Sequence, residues 1–238
     1  MDLPIMRYII SAACGLWLFL AAPLVAQSHQ GIVVELYTSQ GCSSCPAADE
    51  YFAELVEQSG VIPLALHVDY WDYIGWKDTF GDQKFSERQR AYARASGRKM
   101  VFTPQVIVSG GESVEGNRPA DVEAAINRSS ATRSGVTLEL KRVGDKVLIR
   151  ASAHPALSAN TKVQLVRFRE QATVAIVGGE NAGRSITYHN IVTSWTELGD
   201  WSGTEPLELS AGVAGADGVV VIIQTAGPSE IVAAAELN

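Results

Sequence analysis

Apolar and polar positions in the first half of the chain switch between a period of two and a helical period. Ile32-Val33-Val34-Glu35-Leu36-Tyr37 is a run of β-branched and aromatic residues that predicts a buried strand. Ala47 to Gln58 follows with helical spacing, Val61 to Val68 is a second strand-like run, and Ser86 to Ser96 a second helix. Ser86 is placed as the N-cap of that helix and Gly97 as its stop. Gln105 to Val108 and Ser113 to Gly116, joined across Ser109-Gly110-Gly111, predict a hairpin. Pro119 to Asn127 reads as a third helix, with Pro119 in its first turn. The resulting β-α-β-α-β-β-α order implies βαβ units around a parallel core.

The pattern changes after the small, polar stretch Ser129 to Gly135, where a boundary is expected between a domain at 30–130 and a β-rich domain at 135–238. Val136 to Lys141, Lys146 to Ala151, Val163 to Arg169, Thr173 to Val177, Ile186 to Trp195 and Gly218 to Thr225 read as strands separated by turn residues. Short strands without a long helix predict a sandwich or open barrel.

The N-terminus changes the picture of where the protein works. Arg7, the apolar run from Tyr8 to Ala22 and the exit Pro23-Leu24-Val25-Ala26 read as a secretory signal peptide over residues 1–26, too short an apolar run for a spanning helix. A periplasmic or secreted protein, with no stable membrane insertion after cleavage, is the expectation. At 238 residues, 47% hydrophobic and 19% charged, the chain has the composition of a globular protein. Its net charge of −7, with basic residues clustered only from Arg88 to Arg98, argues against nucleic acid and anionic membranes as partners.

Cleavage near Ala26 would remove Cys14 and leave Cys42 and Cys45, in Gln40-Gly41-Cys42-Ser43-Ser44-Cys45-Pro46. These thiols lie where the first strand gives way to the first helix, and a helix N-terminus stabilises a thiolate. A bridge across two residues closes too short a loop to constrain the unfolded chain much, so the pair makes poor scaffolding and good chemistry.

Thr103-Pro104 ahead of the strand Gln105 to Val108 supplies the second element that a dithiol site of this kind needs, a proline loop beside the sulfurs. With Glu35-Leu36-Tyr37-Thr38 before the cysteines and Gly110-Gly111 after that strand, the segment from Gly31 to Asn127 resembles the thioredoxin superfamily, and glutaredoxins most closely in local wording. The whole chain resembles a family of secreted bacterial proteins of unknown function that join such a domain to a C-terminal β domain. The resemblance implies an α/β thioredoxin-like N-terminal domain followed by a mostly-β, sandwich-like C-terminal domain. It also implies thiol–disulfide exchange, with Cys42 as the exposed nucleophile and Cys45 as the resolving thiol. Protein or small-molecule thiols and disulfides would be the partners, and no cofactor or resident metal is required. Ser43-Ser44 departs from the Pro-Tyr of glutaredoxins and the Gly-Pro of thioredoxins, and Thr103 stands where glutaredoxins have Val.

Ser43, Ser44, Thr103, Pro104, Trp71 and Trp76 are the candidate substrate-contacting residues. The stretch Asp69 to Asp78 reads either as a substrate-facing loop or as an insert whose aromatics pack on the domain, and Asp69 to Lys99 is long enough to cover the site. Arg88, Gln89 and Tyr92 read as a polar helix face. Gly178 to Arg184 reads as a long hairpin turn, and His189 as a sheet histidine. Two alternatives to catalysis stand: copper or another soft metal held by Cys42, Cys45 and a histidine such as His67, or a binding protein with an inert disulfide.

Overall fold

The computed structural model describes residues 28–130 and 135–237; the expected signal peptide with Cys14 lies outside them. A short strand β1 (Ser28–Gln30) precedes β2 (Ile32–Thr38), α1 (Pro46–Val56), β3 (Val61–His67), α2 (Gln83–Ala95), β4 (Gln105–Val108), β5 (Glu112–Glu115) and α3 (Pro119–Ser130). After β1, the order is the expected β-α-β-α-β-β-α. Seven strands follow: β6 (Val136–Val143), β7 (Lys146–Ala153), β8 (Thr161–Ala175), β9 (Ser185–Trp201), β10 (Leu207–Gly212), β11 (Gly218–Thr225) and β12 (Ile231–Leu237). Among the described residues the protein is therefore mostly β, with three α-helices.

Nine strands form one curled sheet in the order β1-β12-β11-β8-β9-β3-β2-β4-β5. β2 and β3 are parallel, β4 runs antiparallel to β2, and β5 antiparallel to β4. The two halves of the chain meet where β9 lies parallel to β3, at Ala65 and Ile191. The curl brings β12 back to the start of β2: the Gly31 amide donates to Ala234 O at 3.3 Å, and the Ile231 amide to Ser109 O at 2.8 Å.

The strand period of two sends alternate side chains of β2 and β3 to different cores. Val34, Leu36 and Ala65 face α1 and α3, meeting Phe52, Leu55, Val122 and Ile126. Val33, Tyr37, Ile62, Leu64 and Leu66 face inward, where α2 contributes Phe85 and Tyr92 and the C-terminal strands contribute Val166, Phe168, Val192 and Ile222. A separate sheet, β10-β7-β6, covers the outer face of β8, β11 and β12 through Leu138, Ile149, Val163, Val221 and Ile223. This is the sandwich-like part.

Several local expectations are corrected. α2 begins at Gln83, and its N-cap is Asp82, whose side chain accepts from the Lys84 amide at 2.8 Å. Ser86 is fully buried and donates instead to the Asp69 carboxylate. Gly97 does stop the helix: at φ +70° it lets its own amide reach Arg94 O and the Arg98 amide reach Ala93 O, which satisfies two end carbonyls. Val163 to Arg169 and Thr173 to Val177 are one strand, β8, ending at Ala175, because the polar residues between them belong to an exposed ribbon paired with β9.

Candidate functional site

Two backbone hydrogen bonds turn the chain from β2 into α1, from the Cys42 amide to Ser39 O at 3.1 Å and from the Cys45 amide to Cys42 O at 3.2 Å. Pro46 takes the first position of the helix, where its missing N–H is no loss. Cys45 is the N-cap residue and makes no side-chain cap, so the positive end of the helix dipole faces the sulfurs. The turn also lies beyond the carboxyl ends of parallel β2 and β3, the usual place for a crevice in an α/β sheet. Cys42 and Cys45 are joined there in a disulfide, with Cα atoms 5.4 Å apart.

Cys42 is not exposed as expected. It is 1% accessible and Cys45 0%, whereas Ser43 and Ser44 face solvent. The aromatic loop provides cover: Trp71 and Ile74 press on Gly41 so closely that an added Cβ would stand 3.2 Å from Trp71 Cβ. The loop thus packs on the site, and it also leaves Tyr73 81% exposed, stacked on Trp71.

The sequence candidates converge. The Thr103–Pro104 peptide is cis, and Pro104 is buried. Ser44 Oγ lies 3.4 Å from Cys42 Sγ and donates to Thr103 O at 3.4 Å, which places the proline loop beside the disulfide. The Trp71 indole donates to Thr103 Oγ1 at 2.7 Å. Trp76 reaches the adjoining residue instead, donating to Gln40 Oε1 at 2.8 Å. Gln40 is fully buried; its amide also donates to Asp78 Oδ2 at 2.7 Å, and its side chain to Thr79 Oγ1 at 2.9 Å.

α1, the ends of β2 and β3 and the aromatic loop share a cluster of buried polar side chains that composition alone did not reveal. Asp49 stands one helical turn after Cys45 and so on the same helix face. It is 4% exposed, and one carboxylate oxygen has no protein partner. Burial raises its pKa to about 7; His67 and Thr38 oppose the rise and Asp78 adds to it. Thr38 and His67 are register partners at the ends of β2 and β3. The His67 ring is wholly buried, edge-on to Phe80 and Tyr188, with Nδ1 2.8 Å from Asp78 Oδ2. Burial by itself would raise the Asp78 carboxyl, but His67 and the Gln40 and Phe80 amides hold it below its ordinary value. His67 Nε2 and the Tyr188 hydroxyl, like one Asp49 oxygen, find no protein partner.

His67 is thus engaged with Asp78 and the cysteines with each other. Among the described residues no three His, Cys, Asp or Glu side chains are grouped as a metal site. A large cleft of about 980 Å³, lined by Gln30, Ser109, Arg128, Val136 and Glu230, does not touch the cysteines.

Arg88, Gln89 and Tyr92 are not a solvated helix face. Arg88 makes paired 2.8 Å hydrogen bonds to the buried Glu35 carboxylate, which also accepts from Tyr92 OH at 2.6 Å and Tyr37 OH at 2.8 Å. Both phenols are pushed well above their ordinary pKa, by burial first and by Glu35 second. Burial disfavours the Arg88 charge, but Glu35 outweighs it and raises the pKa. Gln89, fully buried, holds the proline loop from below by donating to Phe102 O at 2.8 Å and Gln105 Oε1 at 2.7 Å.

The least expected contributor is Asn181, in the turn between β8 and β9. Its side-chain amide donates to Gln40 O and to Cys42 O, each at 2.9 Å, across 141 and 139 residues of sequence. Nothing in the glycine-rich wording of 178–184 distinguishes this asparagine from an ordinary turn residue.

Comparison with known proteins sets this geometry in context. The model of a family described as a protein of unknown function, DUF1223, matches residues 33–224. A crystal structure of a protein from Agrobacterium tumefaciens is similar to this chain at 32% identity and a TM-score of 0.75, covering 87% of this chain and 93% of that one. No curated protein matches significantly.

Proposed function

Since the chain belongs to the DUF1223 family, whose description carries no reaction, we propose from the site itself that the protein is a thiol–disulfide oxidoreductase with a thioredoxin-like N-terminal half. One observation carries this reading: the Cys42–Cys45 disulfide stands at the start of α1 directly against the cis Thr103–Pro104 loop, with Ser44 bridging the two. The strand order β3-β2-β4-β5, with helices on both faces, supports the thioredoxin-like comparison.

In the reducing direction the Cys42 thiolate attacks one sulfur of a substrate disulfide, forming a Cys42–substrate disulfide and expelling the other substrate sulfur as a thiolate. Cys45, having lost its proton, then attacks Cys42 Sγ, closes the Cys42–Cys45 bond and expels the second substrate thiolate. Two electrons pass from the dithiol to the substrate, and the protons from Cys42 and Cys45 go to solvent or to the departing thiolates. The oxidising direction runs the same steps backwards. Helix dipole and first-turn amides favour the Cys42 thiolate. Exposed Tyr73, together with Phe102 beside Thr103, gives the entrance an apolar rim suited to polypeptide thiols or disulfides. The apolar leader at 1–26 supports action in the periplasm or outside the cell, where disulfides persist.

The near-complete burial of both cysteines favours a second reading, a binding protein whose disulfide stays closed. The reduction potential of the pair separates the two. Equilibration of residues 27–238 in glutathione buffers, with mass detection, is expected to give a value between about −120 and −270 mV. A value below about −300 mV, with no exchange, would transfer the case to the inert bridge.

A further inference from the structure

The C-terminal strands do more than dock beside the redox site. The tip of the β8–β9 hairpin is folded onto the aromatic loop that covers the cysteines by close backbone approach: a Cβ on Gly178 would stand 2.6 Å from Gly75 O, and one on Gly179 3.1 Å from Trp76 Cβ. Within the tip, the Gly183 amide donates to Ile176 O at 2.8 Å and the Arg184 amide to Asn181 O at 3.2 Å, fixing the backbone that carries Asn181. Asn181 is itself 1% exposed.

Its two donated hydrogen bonds fix which way the amide points, because exchanging nitrogen and oxygen would set Oδ1 against two carbonyls. In this orientation Oδ1 is buried without a protein partner. An unpaired buried acceptor is uncommon and calls for an explanation in terms of what the group gains elsewhere. What Asn181 gains is contact with the cysteine loop: both amide hydrogens end on carbonyls of that loop, one of them belonging to Cys42.

We infer that Asn181 is a positioning residue of the dithiol site, supplied by the C-terminal half of the chain: its side-chain amide holds the carbonyls of Gln40 and Cys42 and places partial positive charge on the backbone that carries the Cys42 sulfur. Hydrogen bonding of those carbonyls withdraws negative charge from the neighbourhood of the thiolate, so it stabilises the reduced, ionised pair relative to the disulfide. The charged and titratable groups nearby, Asp49, His67 and Asp78, belong to α1, β3 and the aromatic loop and interact with one another; Asn181 is a neutral donor supplied from the β8–β9 hairpin. The inference rests on the proposed redox role for the way it would matter, but the thiol can be probed without that role.

The test compares wild type, Asn181→Leu, which removes the donors, and Asn181→Asp, which replaces them with acceptors. Each is reduced in denaturant, refolded with reductant, and alkylated with iodoacetamide at neutral pH, with labelling at Cys42 read by mass. The expected order is wild type, then Leu, then Asp, with Leu slower than wild type by up to about tenfold, the largest effect one pKa unit has on the thiolate fraction. Equilibration with glutathione should shift toward the disulfide in the same order. Equal labelling rates accompanied only by a lower Tm would reduce Asn181 to a structural role and overturn the inference. Faster labelling in the variants would make it a mere cover, and overturn it equally. If neither variant refolds, the side-chain amide signal of Asn181 in the ¹⁵N-labelled wild-type protein decides: it should move between oxidised and reduced forms, and an unchanged signal sinks the inference. Absence of exchange in wild type with the labelling order intact would instead count against the proposed function alone.

Discussion

Arg88 meets Glu35 through two parallel hydrogen bonds of 2.8 Å, with Glu35 entirely buried and Arg88 at 12% side-chain exposure. The pair joins α2 to β2, and Arg88 extends it to β11 through Gln224 Oε1 at 3.1 Å and to β9 by stacking 3.7 Å over Trp195. Removing one member of a buried pair strands the other charge, so Arg88→Met should lose about 3–5 kcal/mol in urea unfolding. The double variant Glu35→Leu/Arg88→Met should recover much of that loss but not all, because Tyr37 and Tyr92 lose the acceptor for their hydroxyls. A single variant as stable as wild type would contradict the account.

The 2.7 Å bond from Trp71 to Thr103 ties the covering loop to the proline loop. Thr103→Val keeps the shape and removes the acceptor. A hydrogen bond of this kind contributes about 0.5–1.5 kcal/mol, so dithiothreitol should reduce the disulfide roughly 2- to 10-fold faster in the variant. The equilibrium with glutathione should stay put, because the bond governs access rather than sulfur chemistry. An unchanged reduction rate would show that the loop does not limit access.

Asp49 makes stability depend on pH in a direction opposite to most carboxylates. Its folded pKa, about 7, lies above the ordinary 3.8, so between these values the folded protein holds a proton that the unfolded chain has released. Stability from this group therefore falls as pH rises from about 4 to above 7. Asp49→Asn keeps the neutral shape and should gain up to about 4 kcal/mol over wild type at pH 8 and little at pH 4. Parallel urea titrations of the two proteins at these pH values would settle the matter; a constant difference would refute it.

The two cysteines should part company when substituted singly. On the proposed mechanism Cys45→Ser should allow the first exchange step and block the second, so mixed disulfides should accumulate on Cys42. Cys42→Ser should trap far fewer. Non-reducing gels with mass identification of the adducts read both, and preferential trapping on Cys45 would reverse the assigned roles.

Much of the first half could be read from sequence because its cues are local. Ile32 to Tyr37, Cys42-Ser43-Ser44-Cys45 and Thr103-Pro104 carry their meaning within a few residues, and the disulfide and proline loop do meet. Leu207 to Gly212 and the alanine-rich β12 escaped because they hold few β-branched residues and owe their conformation to neighbouring strands. Arg88, Gln89 and Tyr92 looked like a solvent face because side-chain polarity does not disclose a buried carboxylate partner 53 residues away. Asn181 was beyond reach for the same reason at larger scale: its partners lie 139 and 141 residues earlier.

The junction of β3 with β9 bears on how the chain can be divided. Cutting between Ser130 and Gly135 would leave one piece with a bare β3 margin and the other with a matching β9 margin, each an adhesive edge open to any passing strand. Such pieces made alone would tend to aggregate, while pieces made together have every reason to find one another, since β1 at the start of the first also pairs with β12 at the end of the second. The chain is better suited to reassembly from fragments than to dissection into modules.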